Sequence, residues 1–140
     1  MSAFLKISTS LLLLIDGLGA IYGGSNLIVH PDGSSIQLSL DLLKHTPFQN
    51  YLIPGIILLV ANGLFSVFAF TALVLRIPNY ARLIMIQGAL LTGWILTQMV
   101  LIQTVYFLHF ILGSIGMALI ITGFLLNKIN SNQAAHHNMV

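Results

Sequence analysis

Apolar residues dominate this chain in long blocks, broken at few points by polar ones. A helix needs about 20 mostly apolar residues to cross roughly 30 Å of hydrocarbon. Residues 7–29 and 52–75 each reach that length, and the uncharged run 83–126 is too long for one helix. It is expected to fold back within 101–106, where Gln103 and Thr104 interrupt the apolar pattern with no Gly or Pro to mark the turn. The pattern therefore predicts an all-α fold, an integral membrane four-helix bundle with spans at about 7–29, 52–75, 82–102 and 105–127.

The few charges orient the bundle. Lys and Arg concentrate in cytoplasmic loops, and with four spans Lys6, Arg76, Arg82 and Lys128 all fall on one side. Lys44 alone lies in the opposite loop, together with Asp32 and Asp41. Were the long run a single helix, the same charges would divide between the two sides, so charge supports the split independently of length. Both termini are expected in the cytoplasm. The start of the chain, Lys6 followed by a short apolar stretch, resembles a signal peptide. Asp16 at the end of that stretch, and apolar residues continuing to Val29, favour a retained span.

Between the first two spans the segment His30-Pro31-Asp32-Gly33-Ser34 reads as a turn. Beyond it Ser35 is placed to cap a short helix that sets Ile36, Leu40 and Leu43 on one face, as in a helix lying in the membrane interface. A strand through Ile36, Leu38 and Leu40 is the competing reading, but it would have no partner strand beside a helical bundle. Phe48 and Tyr51 are placed like interfacial aromatics, and Pro54 fits the first turn of the second span. Residues 129–140 are rich in Asn, Ser, Gln and Ala, offer no apolar face, and are expected to form a disordered cytoplasmic tail. His136 and His137 on that tail lack the converging ligands that a specific metal site requires.

Composition removes several function classes. Of 140 residues 57% are hydrophobic and 6% charged, far from the roughly one quarter charged in soluble domains. The five Lys and Arg exceed three Asp only because acids are scarce, so the positive balance gives no reason to expect nucleic acid as a partner. The absence of Cys excludes disulfides, Cys-ligated metals and thiol chemistry. No cofactor or metal is implied. The lipid bilayer is the expected partner, with a second copy or another membrane subunit beside it.

Polar residues within spans are the candidate site, because an unpaired polar group in hydrocarbon is costly. Gln87, Leu91, Trp94 and Gln98 share a helix face, as do His109, Gly113, Gly116 and Gly123, and Asp16, Gly19 and Gly23. The Gly rows read first as packing seams. At about 1.5 Å per residue Asp16 lies about 15 Å from the Lys6 end and His109 roughly 27 Å, too far apart for a direct bond. The same count puts Tyr22, Asn62 and Gln98 at roughly 21 to 25 Å, with Gln87 and Ser66 bracketing Asp16. Two layers result. Tyr22, Asn62, Trp94, Gln98 and His109 are candidates for a shallow pocket under the outer loop, suited to a neutral or lipid-like small molecule. Asp16 and Gln87 are candidates for proton coupling, since a low-dielectric site favours the neutral form of a carboxyl and lets it exchange a proton for a cation.

Several segments carry a resemblance: Tyr22-Gly23-Gly24, Pro31-Asp32-Gly33-Ser34, Thr46-Pro47-Phe48, Tyr51-Leu52-Ile53-Pro54-Gly55, Gln87-Gly88 and Gly93-Trp94. In these the chain resembles a group of small bacterial four-span membrane proteins of unassigned activity, over nearly its whole length before the tail. The resemblance implies a bacterial inner-membrane setting and carries over no catalytic residue. In outline the chain is also similar to small multidrug resistance transporters, which place a carboxylate in the first span. That family uses Glu where this chain has Asp16, and its other features are not found here.

There is no acid pair, nucleophile with base, metal-ligand set or phosphate-binding Gly loop, so no catalytic residue is assigned. The leading expectation is a non-enzymatic binding or accessory bundle. The alternatives are a proton-coupled small-molecule transporter or channel, oligomeric and using Asp16, and an enzyme acting on a lipid-like substrate through His109. The last needs a group to orient the imidazole, for which Tyr22 and Gln98 are the candidates.

Overall fold

A computed structural model of the protein describes residues 2–102 and 107–139. Its elements are α1 (Ser2–Val29), α2 (Leu52–Ile57), a π-helical segment (Leu58–Leu64), α3 (Phe65–Val74), α4 (Tyr80–Ile102) and α5 (Phe107–Met139). From α2 to α3 the backbone is one continuous rod, the second span. Among the described residues four helices are long and apolar enough to cross a membrane: Ala3–Val29, Leu52–Val74, Tyr80–Val100 and His109–Ala135. The chain is thus all-helical in its described part and has the make-up of a multi-pass membrane protein. The turn expected within 101–106 falls mainly on residues 103–106, outside the described residues.

The helices close into a ring. α1 packs on the second span and on α5, and α4 packs on the second span and on α5. Two close seams hold the ring together, both built on glycine. A Cβ on Gly24 would lie 2.9 Å from the Gly55 carbonyl oxygen, and one on Gly88 would lie 2.7 Å from that of Gly116. The rows expected from the sequence are only partly those used. Gly19 and Gly113 have open space where a Cβ would go, and the first helix instead approaches the second span through Gly17 and Gly24.

Two apolar clusters fill the ring. One, toward the end carrying Lys6, gathers Leu13, Ala69, Leu73, Ile84, Leu119 and Leu126. The other joins Leu27 of α1 to Leu43 and Tyr51 of the long loop. That loop holds two 3₁₀ turns, Ser34–Ile36 and Leu40–Leu43, where one short helix capped by Ser35 is expected. Left-handed Gln37 (φ 59°) interrupts any continuous helix between the two turns, and Ser39, not Ser35, caps the second turn by accepting the Asp41 N–H at 3.1 Å. Tyr51 anchors the loop by donating to the Ser39 carbonyl at 2.6 Å.

α5 also runs on through Met139, where the sequence reading places a disordered tail from 129. No Gly or Pro after Gly123 stops the helix. Its extension is tied to α4 at the start, where Tyr80 donates to Asn130 Oδ1 at 3.4 Å.

Candidate functional site

Buried polarity converges on one place. Asp16, Asn62, Ser66 and Gln87 come from α1, the second span and α4, and none is more than 4% exposed. The Asp16 Oδ2 atom accepts two hydrogen bonds, from the Ser66 hydroxyl at 2.9 Å and from Gln87 Nε2 at 2.8 Å. Gln87 Nε2 also donates to Asn62 Oδ1 at 3.3 Å. One carboxyl therefore ties three helices through two side chains, and Asn62 of the second span joins through the shared Gln87 amide.

Local structure explains why these residues meet. Gly17 follows Asp16 and sits against Ser66, where a Cβ would lie 3.2 Å from that residue's own, so α1 approaches the second span at this level. Asn62 lies in the π-helical segment and Ser66 one turn further along, on the same side of the rod. π-helical turns inside α-helices often occur at functional sites. Gln87 is followed by Gly88, the close contact of α4 with α5, so its amide is held at a fixed position on the helix.

The cluster is not fully paired. Asn62 Nδ2 and Gln87 Oε1 are buried with no hydrogen-bond partner, and so is Thr92 Oγ1 further along α4. A buried polar atom left unpaired costs about 1–3 kcal/mol. An orphan donor and an orphan acceptor on neighbouring amides thus mark the most polar part of the interior as the least satisfied.

The candidate residues of the sequence do not all assemble as expected. Asp16 and Gln87, the two candidates for proton coupling, are in direct hydrogen bond. Asn62, counted to the outer layer, belongs with them. That count assumed a uniform rise from a common edge. The structure starts α1 at Ser2 and α4 at Tyr80 and inserts a π-helical segment, so equal counts are not equal levels. Tyr22 is 66% exposed on the outside of α1 and lines no interior pocket. Trp94 and Gln98 are half-buried, while neighbouring Ile95 takes the interior position at 3% exposed. His109 is buried near the start of α5, far along that helix from Lys128. By depth alone Ser66 only brackets Asp16. Its spacing from Asn62, i to i+4 on one helix face, is the signal that joins it to the set.

Among the described residues no group of three or more His, Cys, Asp or Glu side chains is placed to hold a metal ion. No protein family, curated protein or solved structure matches the chain.

Proposed function

We propose that this chain is a small non-enzymatic membrane bundle that responds to protonation, with Asp16, Ser66, Gln87 and Asn62 as its working centre. The observation that carries this reading is a carboxylate oxygen with two donors on it, beside a buried amide oxygen and a buried amide nitrogen that lack partners. Turning both amides over exchanges the oxygen and nitrogen of each and leaves the heavy-atom framework in place. It sets Gln87 Oε1 against Asp16 and Asn62 Nδ2 against Gln87 Oε1. The first arrangement suits a carboxylate, and the second suits a carboxylic acid whose O–H donates to Gln87. One heavy-atom frame thus serves both protonation states without repacking.

A second reading, proton-coupled movement of a small molecule by an oligomer, is favoured by the position of Asp16 at a junction of three helices, since four spans enclose little space alone. The assembly would be with a second copy or with another membrane subunit. The pocket expected beneath the long loop has less support, because Tyr22 faces outward and Asn62 belongs to the Asp16 cluster. The same exposure of Tyr22 weakens the enzyme reading through His109. The side on which Lys6, Arg76, Arg82 and Lys128 gather favours placing both termini in the cytoplasm, while a bacterial inner-membrane setting rests only on the resemblance to small bacterial four-span proteins.

Reconstituted vesicles test the proposal with Asp16→Asn. Infrared difference spectra on acidification should show a protonated-carboxyl C=O band in the original protein that the variant lacks. Identical spectra would overturn the reading. Proton-linked flux that is unchanged by the substitution, or absent from the original protein, would remove the transport alternative.

A further inference from the structure

At the end of the bundle that carries Lys6, a groove of about 300 Å³ opens between α1 and the end of α3. Its walls are apolar, from Ile7 and Leu11 on one side and Leu73 and Val74 on the other, and Lys6 and Arg76 stand at its rim. Ser10 also lines it, but its hydroxyl donates to the Lys6 carbonyl at 2.7 Å. The two cations are therefore the groups left to recognise a ligand.

Among the described residues no acidic side chain lies at this end of the bundle to neutralise them. The chain has three acidic residues. Asp16 is buried in its own cluster, and Asp32 and Asp41 belong to the long loop at the opposite end of the ring.

The backbone at Arg76 is a second, independent observation. The Ile77 N–H bonds to the Ala72 carbonyl at 2.9 Å and the Arg76 N–H to that of Leu73 at 3.3 Å. This is the Schellman helix ending, whose left-handed position is usually glycine. Here it is Arg76, at φ 55°. A side chain at that position costs free energy that glycine would not. The ending itself needs no guanidinium, so a charge is held at the groove against the local backbone preference.

We propose that this groove is a binding site for an anionic phospholipid, with its phosphate between Lys6 and Arg76 and an acyl chain along Ile7, Leu11 and Val74. Charge complementarity at the rim and apolar walls directed into the span match the two parts of such a lipid. The proposal rests on the multi-pass membrane placement and is independent of the Asp16 reading. Since only cations meet the headgroup, recognition is of charge and not of headgroup shape.

Native mass spectrometry of the full chain in neutral detergent, with phosphatidylglycerol or phosphatidylcholine added, tests it. Arg76→Gly suits the left-handed backbone and so removes the charge without endangering the fold; Lys6→Gln removes the other. Arg82→Gln, which lies on the same side outside the groove, is the control. Phosphatidylglycerol should bind preferentially, Arg76→Gly and Lys6→Gln should each weaken it about fivefold, and Arg82→Gln should leave it unchanged. Equal binding of the two lipids would overturn the site. So would an equal loss from Arg82→Gln, which would indicate general surface potential, or displacement of the lipid by millimolar inorganic phosphate, which would show that the apolar walls contribute nothing.

Discussion

The contact between Asp16 and Gln87 can be measured in isolation by a double-mutant cycle with Asp16→Ala, Gln87→Leu and the pair. Each single change also alters packing, but those effects cancel in the coupling energy. The magnitude depends on the state of the acid. A hydrogen bond to an ionised acceptor contributes about 1.5–3 kcal/mol. Neutral side-chain pairs inside membrane proteins average about 0.6 kcal/mol. The Gln87 Nε2 to Asp16 Oδ2 distance of 2.8 Å is short for an amide donor and belongs to the stronger class. A coupling near 2 kcal/mol is therefore expected while Asp16 is ionised, falling toward about 0.6 kcal/mol once the pH is low enough to protonate it. Unfolding by SDS in mixed micelles, followed by far-UV circular dichroism across a pH series, gives the four stabilities needed. Coupling within about 0.3–0.5 kcal/mol of zero at every pH is the scatter of unrelated sites and would refute the contact. Clear coupling with no pH dependence would leave the contact standing and remove the proton response.

Glycines of one helix should respond oppositely to alanine. On α4 a Cβ at Gly93 meets nothing within 4 Å, so Gly93→Ala should stabilise by up to about 1 kcal/mol through helix propensity. At Gly88 the same Cβ would lie 2.8 Å from the Ile120 backbone nitrogen, so Gly88→Ala should come out about 1–3 kcal/mol worse than Gly93→Ala in the same micelle assay. Equal effects would show that the α4–α5 seam is looser than described. In the long loop the Ser34 backbone N–H, donating at 3.0 Å, holds the Asp32 carboxyl below its ordinary value of 3.8. The turn's contribution is thus fully present above 3.8 and lost as pH falls through the lower folded value. The Ser34 amide resonance should titrate with that low midpoint, and one at or above 3.8 would mean the turn is not held this way.

What the sequence revealed of this fold follows from which properties are local. Span length and apolar content depend on consecutive residues, so the four helices could be read directly. The faces that meet depend on how helices cross, and there the reading was partial. Along α1 the buried positions Leu13, Ala20 and Leu27, like the close-packed Gly17 and Gly24, recur every seven residues. That is the period of helices packed nearly parallel with a slight left-handed supercoil. Gly19, Gly23 and Tyr22 fall on neither series. Polarity and counted depth place Tyr22 with the outer layer, yet neither says which way it faces, and an aromatic hydroxyl near the end of a span is at home facing lipid headgroups.

The interior cluster shows the same division. Asn62 and Ser66 are one turn apart, and any helical reading places them together. The bonds that complete the cluster cross 71 residues from Asp16 to Gln87, 50 from Asp16 to Ser66 and 25 from Asn62 to Gln87. Those contacts depend on relative depth, which a uniform rise cannot give when one helix contains a π-helical segment and another begins earlier than its hydropathy indicates. The sequence does supply a better ruler. Gly17 next to Asp16 and Gly88 next to Gln87 each mark where one helix touches its neighbour. Adjacent small and polar residues in a span thus fix a level, because a polar side chain beside a close backbone approach has no lipid to face and must be paired inside the bundle.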